Sequence, residues 1–255
     1  MFFKELKELS VFKKAYIQIL DGEFVNDASF YYYHGLKFLN IPIELIEDRD
    51  LGKTVIDKDT IVVAGVPATL KIFQRLGVTP PKPIDIPLEL VNYCGRWVIT
   101  TTIKDALDNS ELQYPLFVKP AQKGKLFNGQ IISCKEELEM LRYCDEEMDL
   151  ETPIFISEKV KFISEFRSFV LKGQILDCRK YSGDYKKVPD FSIIENAVKD
   201  FVSSPIAYSI DFGVTEDGRT LLIECNDAYS LGPYGLNNLD LTRMFIYRWK
   251  EIVGL

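Results

Sequence analysis

Three side chains that could hold a metal ion stand close together in the C-terminal part of the chain: Asp211, Glu224 and Asn226. Between them, Asp217-Gly218 is a turn signal flanked by two apolar runs, which predicts a β-hairpin. With these two residues as the loop, counting back along both strands sets Asp211 opposite Glu224, and Asn226 shares the face of Glu224. Such oxygen ligands, open to a substrate phosphate, suit Mg²⁺. The alternative is that they are polar residues on the outer face of an exposed hairpin.

Two further carboxylates lie upstream of the hairpin, where an apolar strand is predicted to end at Glu158 and a second strand to start near Glu165. The linker between them contains Lys159, Val160 and Lys161. Glu158 and the exposed amides of this linker can bond the edge of an adenine, while Glu165 can accept both ribose hydroxyls. The spacing alone is weak support, because acidic residues at this separation are common by chance.

A lysine, Lys119, ends another apolar strand and is followed by Pro120. A lysine in this position is costly to bury unpaired, so it either reaches the rim of the protein or meets an anion. The basic turn that follows, Gln122 to Lys125 with Lys123 inside it, is predicted to close as a flexible lid over a polyphosphate. An ordinary solvated strand end and surface loop is the alternative.

In this order and at this spacing, the three segments resemble the ATP-grasp superfamily of carboxylate-amine ligases, and most closely its short bacterial and phage branch. The resemblance covers about residues 85 to 255. It implies that ATP is bound by Lys119, Lys123, Glu158, Lys159, Val160, Lys161 and Glu165. It implies equally that Mg²⁺, with Mn²⁺ as an alternative ion, is held by Asp211, Glu224 and Asn226.

The chain departs from the superfamily pattern at two basic positions. A second phosphate-binding cation of the central domain has no clear counterpart, and Arg96 is the tentative candidate. Ser209 stands where the D-alanine branch often has an arginine, so other cations must neutralise the transition state. Arg167, Arg179 and Lys180 are predicted to be these catalytic cations, because guanidinium groups bind phosphoryl and carboxylate oxygens in a bidentate manner.

The resemblance implies a reaction in which a carboxylate attacks the γ-phosphate and an amine then opens the acylphosphate. The expected substrate is a small amino acid or the terminus of a peptide or protein. A glycine-containing loop after the hairpin is predicted to bind the acceptor, through Ser230, Gly232, Tyr234 and Gly235. A phosphotransferase and a non-ligating regulatory module that binds ATP are the alternatives, and the intact ligand set disfavours the second.

Composition agrees with an enzyme of this kind. The net charge of -7 and the lack of a basic cluster argue against a nucleic-acid partner. The five cysteines are odd in number and form no Cys-x-x-Cys pair, which is typical of reduced thiols in a cytoplasmic protein. No apolar run reaches membrane-spanning length, so no membrane partner is expected. The oligomeric state stays open, with a homodimer among the alternatives.

The expected fold class is α/β, in the α+β arrangement of ATP-grasp proteins, with three parts. Residues 1–82 alternate strand and helix, which predicts a small parallel, Rossmann-like domain, and the Pro-rich run at 80–83 then reads as a linker. Residues 83–150 form a central α+β subdomain with the phosphate lysine and the lid. Residues 151–255 form a C-terminal α+β subdomain with the adenine hinge and the Mg²⁺ site, and the two subdomains clasp ATP between them.

Overall fold

The computed structural model describes residues 11–121 and 126–255. The predicted lid around Lys123 lies outside these residues. Three four-stranded sheets follow one another in the described part of the chain. The strands are β1 (Lys14–Leu20), β2 (Glu23–Phe24), β3 (Ile43–Glu47), β4 (Thr60–Val63), β5 (Val98–Thr102), β6 (Leu116–Pro120), β7 (Gln130–Ile132), β8 (Pro153–Glu158), β9 (Phe162–Leu171), β10 (Gln174–Gly183), β11 (Ala207–Thr215) and β12 (Thr220–Asp227). The α-helices are α1 (Asp27–Phe38), α2 (Asp48–Leu51), α3 (Val66–Arg75), α4 (Ile103–Asp108), α5 (Lys135–Met140), α6 (Phe191–Asp200) and α7 (Asn238–Val253).

The N-terminal sheet confirms the predicted parallel arrangement. Its central strand, β1, runs parallel to β3 and β4, and the short β2 pairs with its end in the antiparallel sense. Helices α1 and α3 alternate with these strands, as the sequence pattern predicts. Residues 15–17 of β1 are buried, as expected for a parallel strand covered on both faces.

The C-terminal helix α7 packs against this N-terminal unit and shares its hydrophobic core. The crossing with α1 is close at Gly35, where an added Cβ would lie 2.0 Å from Thr242 Oγ1. Further along α7, the rings of Trp249 and Phe73 lie 4.9 Å apart. The last helix of the chain is therefore joined to the first domain by a tightly packed interface.

The central and C-terminal sheets differ from the predicted boundary at residue 150 in one respect. Strand β8 pairs with β5 and β6 of the central sheet, so the change from one sheet to the next falls between Glu158 and Phe162. The linker Lys159–Lys161 thus connects the two sheets. The division of the chain into three domains otherwise stays a prediction.

The predicted register of the β11–β12 hairpin is right at the site, although its turn is not the predicted one. Asp211 pairs with Glu224 as expected. The loop, however, has three residues, because the amide of Thr215 donates to the carbonyl of Arg219, and Gly218 takes a φ of 83° within it. A bulge between Asp211 and Phe212 on one strand and Glu224 and Leu222 on the other restores the count. No helix of the described residues is long and apolar enough to cross a membrane.

Candidate active site

Four charged side chains form one row across the C-terminal sheet, because neighbouring strands pair them directly. Arg179 of β10 pairs with Arg167 of β9, Arg167 with Asp211 of β11, and Asp211 with Glu224 of β12. Residues paired in this way share one face of the sheet. The register thus brings predicted metal and catalytic residues together, and Asn226, two residues beyond Glu224, joins them.

Within this row, Arg167 and Asp211 form a buried bidentate ion pair. Arg167 Nε and Nη2 donate to the two oxygens of Asp211 at 2.9 and 2.7 Å. Only 8% of Arg167 and 1% of Asp211 are exposed, and burial raises the pKa of Asp211 to about 6 against the opposing effect of Arg167. The sequence predicts that Arg167 meets the reacting phosphoryl group or the acceptor carboxylate; its guanidinium instead lies on Asp211, its cross-strand neighbour.

Lys119 reaches this sheet from the central one and lies between two carboxylates. Its Nζ donates to Glu224 Oε2 at 2.8 Å and forms an ion pair with Asp85 Oδ1 at 2.6 Å. Burial alone would lower the pKa of Lys119, but Glu224 and Asp85 outweigh it and raise that pKa. The other oxygen of Glu224 accepts from Asn226 Nδ2 at 2.9 Å. The lysine predicted to meet an anion is thus held by two acidic side chains.

A cavity of about 420 Å³, here called the nucleotide cavity, lies between the central and C-terminal sheets. Most of the residues predicted to bind ATP line it, which brings the hinge, the phosphate lysine and one metal ligand to a single space. Its apolar walls suit a flat ring. The lining residues are Arg96, Phe117, Lys119, Ile131, Phe155, Ser157, Glu158, Lys159, Val160, Lys161, Phe162, Glu165, Ile223 and Glu224.

Three polar residues of the nucleotide cavity have protein partners that the sequence did not predict. Glu158 Oε2 accepts from the amide of Trp97 at 3.1 Å, so one of its oxygens is engaged on the segment leading into β5 rather than free for an adenine. Lys161 pairs with Glu216 at 2.6 Å. Arg96 donates to the carbonyl of Leu222 at 2.8 Å, and burial lowers its pKa. Arg96 therefore lies in the cavity but also holds β12 in place.

The predicted acceptor loop lines a separate groove of about 880 Å³, here called the acceptor groove. Its opposite wall is formed by residues 26–32 and 63–66 of the N-terminal unit, and Phe245 of α7 completes it. Tyr234 stands at a φ of 43° and its ring lies 4.5 Å from the Arg167 guanidinium, so the loop covers the buried ion pair. The groove residues of the predicted loop are Ser230, Gly232, Tyr234 and Gly235.

A third cavity, here called the transfer cleft, has a volume of about 740 Å³ and adjoins both of the others. It shares Lys119 and Glu224 with the nucleotide cavity, and Tyr229, Ser230 and Val66 with the acceptor groove. Its remaining lining includes the end of the Pro-rich linker, Asn226 and Asp227. The three spaces therefore form a continuous series across the molecule.

Two predicted catalytic cations are not brought to the reacting centre. Arg179 lies beside Arg167 in the row, but its guanidinium pairs with Asp177 at 2.6 Å and the side chain is 47% exposed. Lys180 pairs across the sheet with Phe166 rather than Arg167, and its Nζ donates to the carbonyl of Gly183. Lys180 consequently faces away from the row, because successive residues of a strand alternate between faces.

The predicted metal ligands fit Mg²⁺ in donor type but are not equally accessible. Glu224 and Asn226 offer carboxylate and amide oxygens at the transfer cleft, and 30% of the Glu224 side chain is exposed. Both oxygens of Asp211 are taken by Arg167, so it can act as a ligand only when Arg167 releases one of them. No group of three or more His, Cys, Asp or Glu suited to a metal occurs within residues 11–121 and 126–255.

Two residues of the site were missed by the sequence analysis. Asp85 follows the Pro-rich linker, and no local pattern links it to Lys119 or to β12. Tyr181 is the extra residue of a bulge in β10, and its ring lies 5.9 Å from the Arg167 guanidinium. Burial raises the pKa of its hydroxyl, and the nearby carboxylates of Asp211 and Glu165 add to this effect. A bulge of this kind has no signature in the strand pattern.

Comparison with known proteins connects this geometry with a family. A family model described as an ATP-grasp domain, the second family of its clade, matches residues 93–244. The matched stretch contains β5 to β12, and with them Lys119, the hinge and the three predicted metal ligands. No match was found among the curated proteins.

Solved structures with similar folds include three ATP-grasp or ligase proteins. A D-alanine–D-alanine ligase from Bacillus anthracis, also solved in complex with ATP, has a TM-score of 0.58 and 18% identity over 94% of this chain and 98% of that one. A RimK domain protein from Sphaerobacter thermophilus gives 0.55 and 12%, over 91% and 99%. An L-amino acid ligase from Bacillus licheniformis gives 0.54 and 14%, over 93% and 75%. At these identities the likeness concerns the fold.

Proposed function

This chain belongs to the ATP-grasp family whose model it matches, and from that premise we propose that it is an ATP-dependent ligase. In this proposal it joins a carboxylate to an amine through an acylphosphate and releases ADP and phosphate. The observation that carries the proposal is the series of three adjoining cavities. A nucleotide site, a place for phosphoryl transfer and an acceptor site are the spaces that such a reaction needs.

The residues of each cavity suit its proposed part. In the nucleotide cavity, the Lys159–Lys161 amides and Glu165 are suited to adenosine, and Lys119 to the phosphates. At the transfer cleft, Glu224 and Asn226 would hold Mg²⁺, which supplies positive charge to the phosphoryl oxygens when bound. Catalysis of this type requires alignment and charge stabilisation more than covalent chemistry, and the enclosing walls exclude water from the acylphosphate.

The acceptor groove favours an uncharged or weakly charged surface of the substrate. Its lining contains aromatic rings and backbone polar groups, and Asp27 is the one charged side chain among its described lining residues. Two of the solved structures with this fold are named as ligases of D-alanine and of L-amino acids. We therefore propose an amino acid, or the terminus of a peptide or protein, as the acceptor class.

The proposal is tested by measuring ADP formation with panels of amino acids and short peptides, supplied singly and in pairs. A ligase releases ADP only when both an acid and an amine are present, and mass spectrometry then detects the joined product. ADP formed with an acid alone, together with a phosphorylated product, would indicate a phosphotransferase instead. ATP binding without ADP formation in any pair would support a binding module.

Glu224→Gln should remove most of the Mg²⁺ dependence of ATP binding. The change keeps the shape and the hydrogen-bonding capacity of the side chain but removes the charge that attracts the ion. We expect the Mg²⁺-dependent gain in ATP affinity in the unaltered protein to fall by about tenfold in the variant, the equivalent of about 1.4 kcal/mol. Isothermal titration with ATP, with and without Mg²⁺, measures both quantities.

The matched control is Glu195→Gln, an exposed acid of α6 outside all three cavities. It should bind ATP with the same Mg²⁺ dependence as the unaltered protein. Equal Mg²⁺ dependence in the Glu224 variant and this control would remove Glu224 from the proposed metal site.

Glu165→Ala should weaken ATP more than 2′-deoxy-ATP. A carboxylate that accepts a ribose hydroxyl contributes about 1.5–3 kcal/mol, and the deoxy nucleotide already lacks one of the two hydroxyls. The two nucleotides should consequently bind the variant with more similar affinities than they bind the unaltered protein. Titration of both proteins with both nucleotides measures the difference; equal losses for the two would mean that Glu165 does not touch the ribose.

A further inference from the structure

Asp85 is tied to the centre of the site by its backbone as well as by its side chain. It follows the Pro-rich linker and takes a φ of 55°, a conformation that Asp and Asn tolerate better than most residues. Its amide donates to the carbonyl of Cys225 at 3.1 Å, and the amide of Cys225 donates back at 2.6 Å. Cys225 stands between Glu224 and Asn226, so the linker is fastened between the two accessible metal ligands.

The Asp85 carboxylate gives Lys119 a second counter-ion. The contact of 2.6 Å is an ion pair and not a well-directed hydrogen bond, whereas Glu224 accepts a hydrogen bond from the same ammonium. The side chains of Lys119 and Asp85 are only 16% and 23% exposed. One lysine between two carboxylates leaves a net negative charge where a polyphosphate is to bind, which is unfavourable unless one carboxylate gives way.

The position of Asp85 identifies which of the two carboxylates this is. Lys119 and Glu224 line both the nucleotide cavity and the transfer cleft, whereas Asp85 lines the transfer cleft alone. Phosphates that extend from the nucleotide cavity into the cleft therefore meet Lys119 on the side that Asp85 occupies. Glu224 is retained by Asn226 and is needed beside the phosphates as a candidate metal ligand.

We propose, building on the ligase function above, that Asp85 competes with the nucleotide phosphates for Lys119. The phosphates of ATP displace its carboxylate when they bind, and the carboxylate returns to Lys119 as ADP leaves. Asp85 is thus a positioning residue that holds the lysine ready and weakens the hold on the product. This role requires that its removal strengthens the binding of phosphates and leaves the binding of the nucleoside unchanged.

Titration of the Asp85→Asn variant with adenosine, ADP and ATP in the presence of Mg²⁺ tests this inference. Asparagine keeps the shape and tolerates the same backbone conformation, so only the competing charge is lost. We expect ATP and ADP to bind about tenfold more tightly and adenosine to bind as before; tenfold corresponds to about 1.4 kcal/mol. Asp85→Gly, which also accepts this φ, should give the same result and serves if the asparagine variant does not fold.

The matched control is Asp59→Asn, because Asp59 also pairs with a lysine, Lys13, and its side chain is 25% exposed. It should leave all three affinities unchanged. In a Lys119→Met background, Asp85→Asn should no longer tighten ATP selectively, because the group for which it competes is gone. Unchanged or weaker ATP binding by the single Asp85 variant would overturn the inference and leave the ligase proposal standing. Failure of the unaltered protein to bind ATP would contradict the ligase proposal itself.

Discussion

Replacement of Lys119 by methionine should weaken ATP binding on the order of 100-fold while leaving adenosine binding nearly unchanged. The lysine ammonium is the buried cation shared by the nucleotide cavity and the transfer cleft, and methionine retains much of its apolar stem. Its loss removes a charge-assisted contact to the phosphates. It also leaves Glu224 and Asp85 without their shared counter-ion, so both carboxylates repel the incoming nucleotide.

Isothermal titration with ATP, ADP and adenosine measures this effect, and Lys104→Met is a suitable control. Lys104 belongs to the same sheet region, at the start of α4, but its side chain is 55% exposed and lies outside the three cavities. It should bind all three compounds as the unaltered protein does. A Lys119 variant that loses adenosine and ATP binding to the same degree would show a general disturbance of the cavity instead of a phosphate contact.

Arg167→Leu should lower the free energy of unfolding by about 3–5 kcal/mol, because it leaves the buried carboxylate of Asp211 without a partner. The double replacement Arg167→Leu with Asp211→Leu should recover a large part of that loss, since two apolar side chains can then pack where the ion pair was. Urea denaturation of the single and double variants, followed by circular dichroism, measures the three free energies. Their comparison separates the cost of a stranded charge from the value of the pair.

The control for this cycle is Arg219→Leu, which breaks an exposed pair with Asp217 in the hairpin loop. Little change in the free energy of unfolding is expected there, because water solvates the remaining charge. A similarly small effect of Arg167→Leu would mean that the guanidinium is not needed to neutralise Asp211, and that Arg167 is free to meet a substrate as the sequence analysis predicted.

Local patterns predicted the parts of the site that depend on neighbouring strands. The hairpin placed Asp211 opposite Glu224, and the result is right because two departures cancel: a longer loop shifts the pairing by one residue and a bulge shifts it back. The alternation of side chains also predicted correctly that Cys225 points into the core. Helix α6 was missed although its signals are readable, with Asp190 as the N-cap and apolar residues at Ile194, Ala197 and Val198.

The contacts that sequence reasoning could not predict join residues far apart in the chain. Arg167 meets Asp211 because β9 pairs with β11, and the order of strands in a sheet is not written in either strand. Asp85 reaches Lys119 through a single backbone pairing with Cys225 outside the regular strands. Each of these contacts arises from tertiary packing, so the residue types were recognisable as chemically able but their partners were not.

The packing of α7 against α1 has a consequence for how the molecule can change shape. Both walls of the acceptor groove belong to elements that share one core, which includes Gly35 packed on Thr242 and the rings of Phe73 and Trp249. The central sheet has a separate core of its own and joins the C-terminal sheet through the short linker Lys159–Lys161. The acceptor is therefore received by a preformed mould, whereas the nucleotide is received by a jaw, the central sheet, that can swing without disturbing that mould.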